Sequence, residues 1–507
     1  MKTREVKCAV ALLRLCALVL GQGAWAAEPP PRLAVVLVVD QLGWETLERV
    51  RPHFGKAGVQ RLMNEGSVFL AAHYTYAVTY TGPGHACIAT GSYPDRNGII
   101  SNNYFDRATG KSLTMLADSE QMVLEAPADA EDDTSPRALV GETVGDRLRL
   151  STDFRGKVLA VSLKDRAAVL LGGKLWSAYW LSDATGKMTT STWYANQLPA
   201  WVKTFNQTHA ALEKSERGWA QASDREVEFI KAGVVAEQLG RRNVTDLLAV
   251  SFSAIDYIGH KRGPESPQVQ EAVVRLDQAI ADLLAFLEAQ VGGKQRLTVV
   301  LTSDHGAVAT PESLAAHGYT AGRVKLATLK QALDSALSGR FGAGAWVLAL
   351  HDPGIYLNEQ LALERKLDFA LVQRVAAQAA LTVPGIAAAF TRVQLVGGQL
   401  PKTSLAEAAQ KSFYPARSGD LFLISQPFFF WGKYGEHAEG STHGTPWSYD
   451  THVPLVFWGA GVRRGEFRAP VDLADLAPTL AALLHLSPPA AAEGQVRPEV
   501  FGSPPPG

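Results

Sequence analysis

Four apolar runs, each ending in a charged residue or at an Asp-His pair, constrain this chain more than any other feature. They are residues 33–40 (Leu-Ala-Val-Val-Leu-Val-Val-Asp), 157–164 (Lys-Val-Leu-Ala-Val-Ser-Leu-Lys), 246–256 (opening Asp-Leu-Leu-Ala-Val-Ser-Phe and ending at Asp256) and 297–305 (Leu-Thr-Val-Val-Leu-Thr-Ser-Asp-His). A continuous apolar run suits a strand buried on both faces, as in a parallel sheet covered by helices. In such an open sheet, ligands bind outside the C-terminal ends of the strands. The pattern therefore predicts that Asp40, Lys164, Asp256 and Asp304 share one edge of one sheet. After Asp256 and His260, Ser266-Pro267 makes a helix start, apolar residues from Val269 to Leu287 recur at helical spacing, and Gly292-Gly293 ends the helix. That helix leads into the 297 run as a right-handed crossover would. Residues 453–458 read as a further strand and residues 472–485 as an Ala/Leu-rich helix.

The predicted class is α/β, with a mostly parallel central sheet flanked by helices. Two stretches break the alternation. Residues 172–245 carry Trp176, Trp180, Trp193, Trp201 and Trp219, and residues 306–440 are mixed and Gly-rich. Both are expected to be insertions that fold over the strand ends as a cap on a single domain spanning 27–507. The formal net charge of -1 lacks the basic excess of a nucleic-acid binder, so any anion binding must be local. Lys2, Arg4 and Lys7 precede a mostly apolar stretch and then Ala24-Trp25-Ala26. This reads as a secretory signal cut between Ala26 and Ala27, which places the protein in the periplasm or outside the cell. The run is too short for a membrane span, and no later run reaches that length. Cys8 and Cys16 fall inside the signal, leaving Cys87 without a disulfide partner.

Two constellations carry chemistry. Thr81-Gly82-Pro83-Gly84 precedes a short apolar segment closed by Gly91. Thr is a good N-cap, Pro suits the first helical turn, and Gly suits the C-terminal cap. A helix start presents free N–H groups to an anion such as phosphate. The second constellation is metal-like. Asp256 and His260 share a helix face if that segment is helical. Asp304 and His305 are adjacent at a strand end, Asp40 ends the first run, and His443 lies in the small-residue loop Ser-Thr-His-Gly-Thr. Carboxylates and imidazoles without thiolates suit zinc and tolerate other divalent ions. His85, one turn into the Thr81 helix, is placed to support these ligands rather than join them.

As an ordered set these residues resemble the alkaline phosphatase superfamily, and within it the PafA-type phosphate-irrepressible enzymes related to nucleotide pyrophosphatase/phosphodiesterases. The resemblance runs through Val-Val-Asp40-Gln, Tyr-Thr81-Gly-Pro-Gly-His, Gly98-Ile-Ile-Ser-Asn102-Asn and Lys164-Asp-Arg166. It continues through Asp256-Tyr-Ile-Gly-His260, Ser303-Asp304-His305-Gly and Thr442-His443-Gly. It implies two zinc ions, one held by Asp256, His260 and His443, the other by Asp40, Asp304, His305 and the Thr81 oxygen. Thr81 would be the nucleophile and would pass through a phosphothreonine; Thr79 is its rival. Asn102, Lys164 and Arg166 would meet the three nonbridging oxygens of a monoester dianion. The expectation is a secreted, zinc-dependent phosphomonoesterase acting on small phosphate monoesters. The alternative is a phosphodiesterase or nucleotide pyrophosphatase on the same site. A metal- or phosphate-binding protein without activity would be expected to lack Thr81 or a ligand, and all are present.

Overall fold

All four apolar runs become neighbouring strands of one sheet. The computed structural model describes residues 29–127, 133–431 and 439–502; the leader and its cleavage point lie outside the described residues. Leu33–Val39 pairs in parallel with Asp246–Phe252 on one side and Leu297–Thr302 on the other. Val158–Ser162 continues the parallel set beyond Asp246–Phe252. The full sheet has nine strands, and its fringe includes antiparallel pairs, with Leu455–Gly459 lying antiparallel to Leu297–Thr302.

The central strand shows why the run is apolar throughout: every residue of Leu33–Val39 is buried. Leu33, Val35, Leu37 and Val39 pack with Ile230, Leu276 and Ile280 of helices Glu216–Ala236 and Pro267–Val291. Ala34, Val36 and Val38 face the other way, into the cluster holding Ala86, Ile88, Val169 and Leu480. Side chains alternate across a strand, so a sheet sandwiched between two helix layers needs apolar residues at odd and even positions alike. Burying one such Val or Leu is worth about 1.5–3 kcal/mol. The long crossover helix starts as its sequence predicts, with Ser266 Oγ accepting the Val269 N–H at 3.3 Å and Gly292 closing at φ 82°.

Two expectations are corrected. Residues 172–245 do not form a cap alone. Ser177–Leu181 adds a parallel strand beside Val158–Ser162, and Glu216–Ala236 is part of the helix layer against the sheet. The aromatic Ser-Ala-Tyr-Trp-Leu sequence hides a core strand because it lacks the aliphatic run of its neighbours. Asp256 is not at a strand end either: the strand stops at Phe252, and Asp256 lies in the first turn of helix Ala254–Arg262. Residues 306–440, over their described part, carry a second sheet, and Phe390, Phe422 and Ile424 of this stretch pack into the cluster that holds Ala86 and Ile88. A four-stranded sheet, Val347–His351, Gly354–Leu357, Leu421–Ser425 and Ile386–Thr391, encloses its own apolar cluster with helices Leu326–Phe341 and Phe369–Ala380. Among the described residues, no helix is long and apolar enough to cross a membrane.

Gly84 sets how close the Thr81–Thr90 helix comes to the sheet edge, because a Cβ there would stand 2.4 Å from the Asp304 carbonyl oxygen and 2.7 Å from its Cβ. Gly84→Ala gains helix propensity of about 1 kcal/mol, but it must push the helix off Asp304. We expect a net loss of about 1–3 kcal/mol, read by thermal or denaturant unfolding, together with lower activity. A half-buried histidine pair makes an acid-sensitive contact. His73 stacks on His452 at 4.4 Å, and burial, then the second imidazole, lowers its pKa to about 4, with Asp472 opposing. The folded pKa lies below the ordinary 6.5, so protons bind the unfolded chain more readily, and His73's contribution falls away as pH drops from 6.5 toward 4. His73→Gln should therefore lose less stability than wild type across that interval, measured as the shift in urea midpoint.

Candidate active site

The strand ends deliver their polar residues to one point. Asp40 follows the central strand, Asp304 and His305 follow Leu297–Thr302, and Asp256 follows Asp246–Phe252 by one helical turn. All four are buried, and so are His443, Lys164 and Thr81. One oxygen or nitrogen from each of Asp40, Asp304 and His305 lies within 4.8 Å of the others, and the same holds for Asp256, His305 and His443. The two sets therefore meet at His305, whose ring stacks on His443 at 3.5 Å. His260, assigned by resemblance to the Asp256 set, places Nε2 3.2 Å from Asp256 Oδ1, while His443 Nε2 is 3.6 Å from the same oxygen.

The imidazoles are aimed by the backbone. Nδ1 of His443 bonds to the Thr79 carbonyl at 2.7 Å, Nδ1 of His305 to the Gly306 carbonyl at 2.9 Å, and Nδ1 of His260 to the Ser441 carbonyl at 2.9 Å. A carbonyl accepts, so Nδ1 donates in each ring, which leaves Nε2 as the nitrogen that would face a metal. Burial holds His305 and His443 below the usual imidazole range, which favours the neutral form that a metal needs.

The carboxylates raise the opposite problem. Asp40 and Asp304 offer oxygens within 4.8 Å of one another, and at an effective dielectric near 20 two full charges at that separation repel by roughly 3 kcal/mol. Burial, reinforced by Asp256 and Asp304, pushes Asp40 well above the usual carboxylate range. Lys164 is the buried ammonium set among them, with Nζ 2.5 Å from both Asp40 Oδ2 and Asp256 Oδ2. Burial would raise Asp256 too, but His260 and Lys164 outweigh it and hold that carboxyl well below its ordinary value. Asp40 Oδ1, Asp304 Oδ2 and His305 Nε2 are buried without a hydrogen-bond partner. Three such atoms converging at a carboxylate-rich point fit a divalent cation.

Thr81 is the first residue of its helix, not the cap. Tyr80 holds the cap position, and no side chain caps that end. The Thr81 hydroxyl is thus not spent on capping. The rival Thr79 donates its hydroxyl to the Thr445 carbonyl at 2.8 Å and gives its own carbonyl to His443. Beside Thr81, the Asn102 side-chain oxygen accepts the Gly82 N–H at 2.8 Å, which leaves the amide hydrogens as its free donors. Arg166 lies in the first turn of helix Asp165–Gly172, in electrostatic reach of Asp40 and Asp256. His85 lies beside Asp304: its Nδ1 is 2.7 Å from the Thr81 carbonyl oxygen and 3.3 Å from Asp304 Oδ2, and its Nε2 is 2.8 Å from Ser251 Oγ.

Sequence reasoning misses Gln41, Tyr80 and Asp352. Gln41 is fully buried and bonds both Asp304 and Asp256; only its place beside Asp40 draws attention to it in linear order. The Tyr80 ring packs edge-on against His443. Burial pushes the Asp352 carboxyl up to about 8, opposed by its hydrogen bond with Tyr80. Asp352 belongs to the 306–440 stretch, so its proximity to the Thr81 segment has no signal in the residue order.

The type I phosphodiesterase / nucleotide pyrophosphatase family model matches residues 34–447. Alkaline phosphatase PafA of Elizabethkingia meningoseptica is 30% identical, over 95% of this chain and 97% of that protein. A protein of Myroides odoratus named a calcium-transporting ATPase is 31% identical, over 90% of this chain and 92% of its own length. The crystal structure of wild-type PafA superimposes with a TM-score of 0.86 at 29% identity, covering 94% of this chain and all of that one. A second PafA structure, with the same score, carries substitutions at one threonine, one asparagine, one lysine and one arginine. The chain belongs to the type I phosphodiesterase / nucleotide pyrophosphatase family, with the PafA-type alkaline phosphatases among its relatives, and is a phosphoesterase hydrolase.

Proposed function

We propose that this hydrolase is a zinc-dependent phosphomonoesterase that works through a phosphothreonine at Thr81. The observation that carries the reading is the convergence of Asp40 Oδ1, Asp304 Oδ2 and His305 Nε2, buried and without partners, beside the Thr81 helix. Asp40, Asp304 and His305, with the Thr81 oxygen, would hold one zinc ion; Asp256, His260 and His443 would hold the other. Bound there, zinc would lower the pKa of a hydroxyl and offset charge on the phosphoryl oxygens. The N-terminal segment supports export, and small phosphate monoesters are the substrates of this reading.

The chain's own groups supply the rest. The Thr81 oxygen attacks phosphorus as the leaving oxygen departs in line, and water then releases phosphate from Thr81. Asn102, held through its oxygen, would give its amide hydrogens to a nonbridging oxygen. Lys164 has three N–H donors, and with Asp40 and Asp256 engaging it, one remains for substrate. Arg166 would add a planar fork. The substituted threonine, asparagine, lysine and arginine of PafA match these four residue types. A diester presents fewer charged oxygens, so it gains less from this set. The family name keeps diester cleavage as the competing outcome.

The test compares kcat/KM for an aryl phosphate monoester and its methyl diester on zinc-loaded protein. The monoester should be strongly preferred, and Thr81→Ala should abolish turnover of both. Arg166→Ala is the cleaner probe of monoester recognition, because Lys164 also touches two proposed metal ligands. It should lower monoester kcat/KM by about 10²–10³-fold and diester kcat/KM far less. Equal losses on both substrates defeat the monoester assignment. Removal of metal with a chelator should abolish activity, and zinc should restore it.

A further inference from the structure

We propose that Gln41 is a positioning residue that holds the two proposed ligand sets in register, one set through its backbone and the other through its side chain. The inference rests on the metal reading of the site given above.

Gln41 follows Asp40 directly and is 1% exposed. Its backbone N–H donates to Asp304 Oδ1 at 3.2 Å, and its side-chain Nε2 donates to Asp256 Oδ1 at 2.9 Å. One residue thus bonds a carboxylate from each set. The amide grips Asp256 on the oxygen that faces His260 Nε2 and His443 Nε2, while the other Asp256 oxygen is taken by Lys164. Asp256 is therefore oriented from both sides. Asp304 is bonded at Oδ1 by the Gln41 N–H, and its Oδ2 lies 3.3 Å from His85 Nδ1 without a hydrogen bond.

The residue is kept there at a cost. Its φ is 70°, a left-handed backbone that suits glycine and strains most other residues. Its Oε1 is buried without a hydrogen-bond partner. That oxygen lies against Gly259, where a Cβ would come within 1.9 Å of it. Gly259 is three residues beyond Asp256 on the same helix, so the helix that carries the ligand also makes room for the group that aims it. A strained backbone and an unpaired oxygen persist only where the surroundings enforce them, and such features cluster at functional sites. A neutral amide also suits the position. It can only donate to Asp256, and it adds no charge to an already anionic cluster. Hydrogen bonds to the ligating carboxylates of metal sites are worth about 10–100-fold in metal affinity.

The test is zinc titration against a competing chelator on the full chain, for wild type, Gln41→Gly and Gly259→Ala. Glycine accepts the φ of 70° and retains the N–H to Asp304 while deleting the amide. It should weaken one of the two zinc-binding steps, that of the Asp256 set, by about 10–100-fold and leave the other unchanged. Thermal unfolding of the chelator-treated Gln41→Gly protein should match or exceed that of wild type, because the strain is relieved. Gly259→Ala displaces the amide and should weaken the same step; if it does not fold, Gln41→Gly decides. Unchanged zinc affinity in Gln41→Gly overturns the proposal while leaving the metal reading intact. Equal weakening of both steps with a lower unfolding temperature also overturns it, since that is what a purely structural turn residue would do. A wild-type protein that binds no zinc overturns the metal reading and this inference together.

Discussion

Repulsion among Asp40, Asp256 and Asp304 is the constraint that the rest of the site answers. A parallel sheet points all its strand ends the same way, so acidic residues after neighbouring strands are forced together whether or not their charges agree. Burial removes the water that would screen them, and the penalty for isolated buried charge is severe. The surroundings respond with positive or hydrogen-bond-donating groups. Lys164 reaches between Asp40 and Asp256, His85 sits against Asp304, and Gln41 donates to Asp256 and Asp304. One ammonium does not balance this cluster, and the atoms left unpaired are those that a divalent cation would take.

The same sheet geometry governs the reacting group. The Thr81–Thr90 helix is docked on the sheet edge through Gly84, against the backbone of Asp304. Its first residue is therefore fixed relative to the ligands by backbone packing and not by long side chains. Asn102 is fixed in turn by the N–H of Gly82 in that helix's first turn. The proposed nucleophile, the proposed ligands and Asn102 thus rest on a single rigid frame, as a site needing sub-ångström placement requires. The remaining cations come from the neighbouring strand end. The 306–440 segment packs into the core beside this helix through Phe390, Phe413 and Phe422, and reaches the site at Ser101, whose hydroxyl is 3.4 Å from the Asp352 carbonyl oxygen, and at Tyr80.

Much of this is legible in the residue order alone. The runs ending at Asp40 and Asp304 read as strands buried on both faces, because each is short, rich in β-branched residues and apolar at consecutive positions. The Ser266–Gly292 helix announces both of its ends. The residues that mislead are those whose neighbours in space are distant in sequence. Asp256 follows an apolar run closely enough to pass for its end, although Ser253 holds the cap position of a helix and the strand has already stopped. The Ser177–Leu181 strand reads as part of a Trp-bearing cap insertion because it lies toward the sheet's fringe, where its packing partners are rings such as Trp201 and Phe229. Thr81 looks like a cap by residue type, and one position in the helix start decides whether its hydroxyl is bound to backbone or available for chemistry.

By itself, the sequence determined the parallel sheet, the edge on which function would lie, and the residue types gathered there, because burial and strand polarity act through local patterns that survive in linear order. Only the tertiary structure decided how those residues divide the work. It placed His305 between the two candidate ligand sets, brought His443 to Asp256 and set Lys164 Nζ between Asp40 and Asp256. It also drew in Gln41, whose left-handed backbone and bonds to Asp256 and Asp304 span positions 215 and 263 residues away. Ångström distances between strand ends depend on how the whole sheet twists and packs, and no local pattern of residues carries that information.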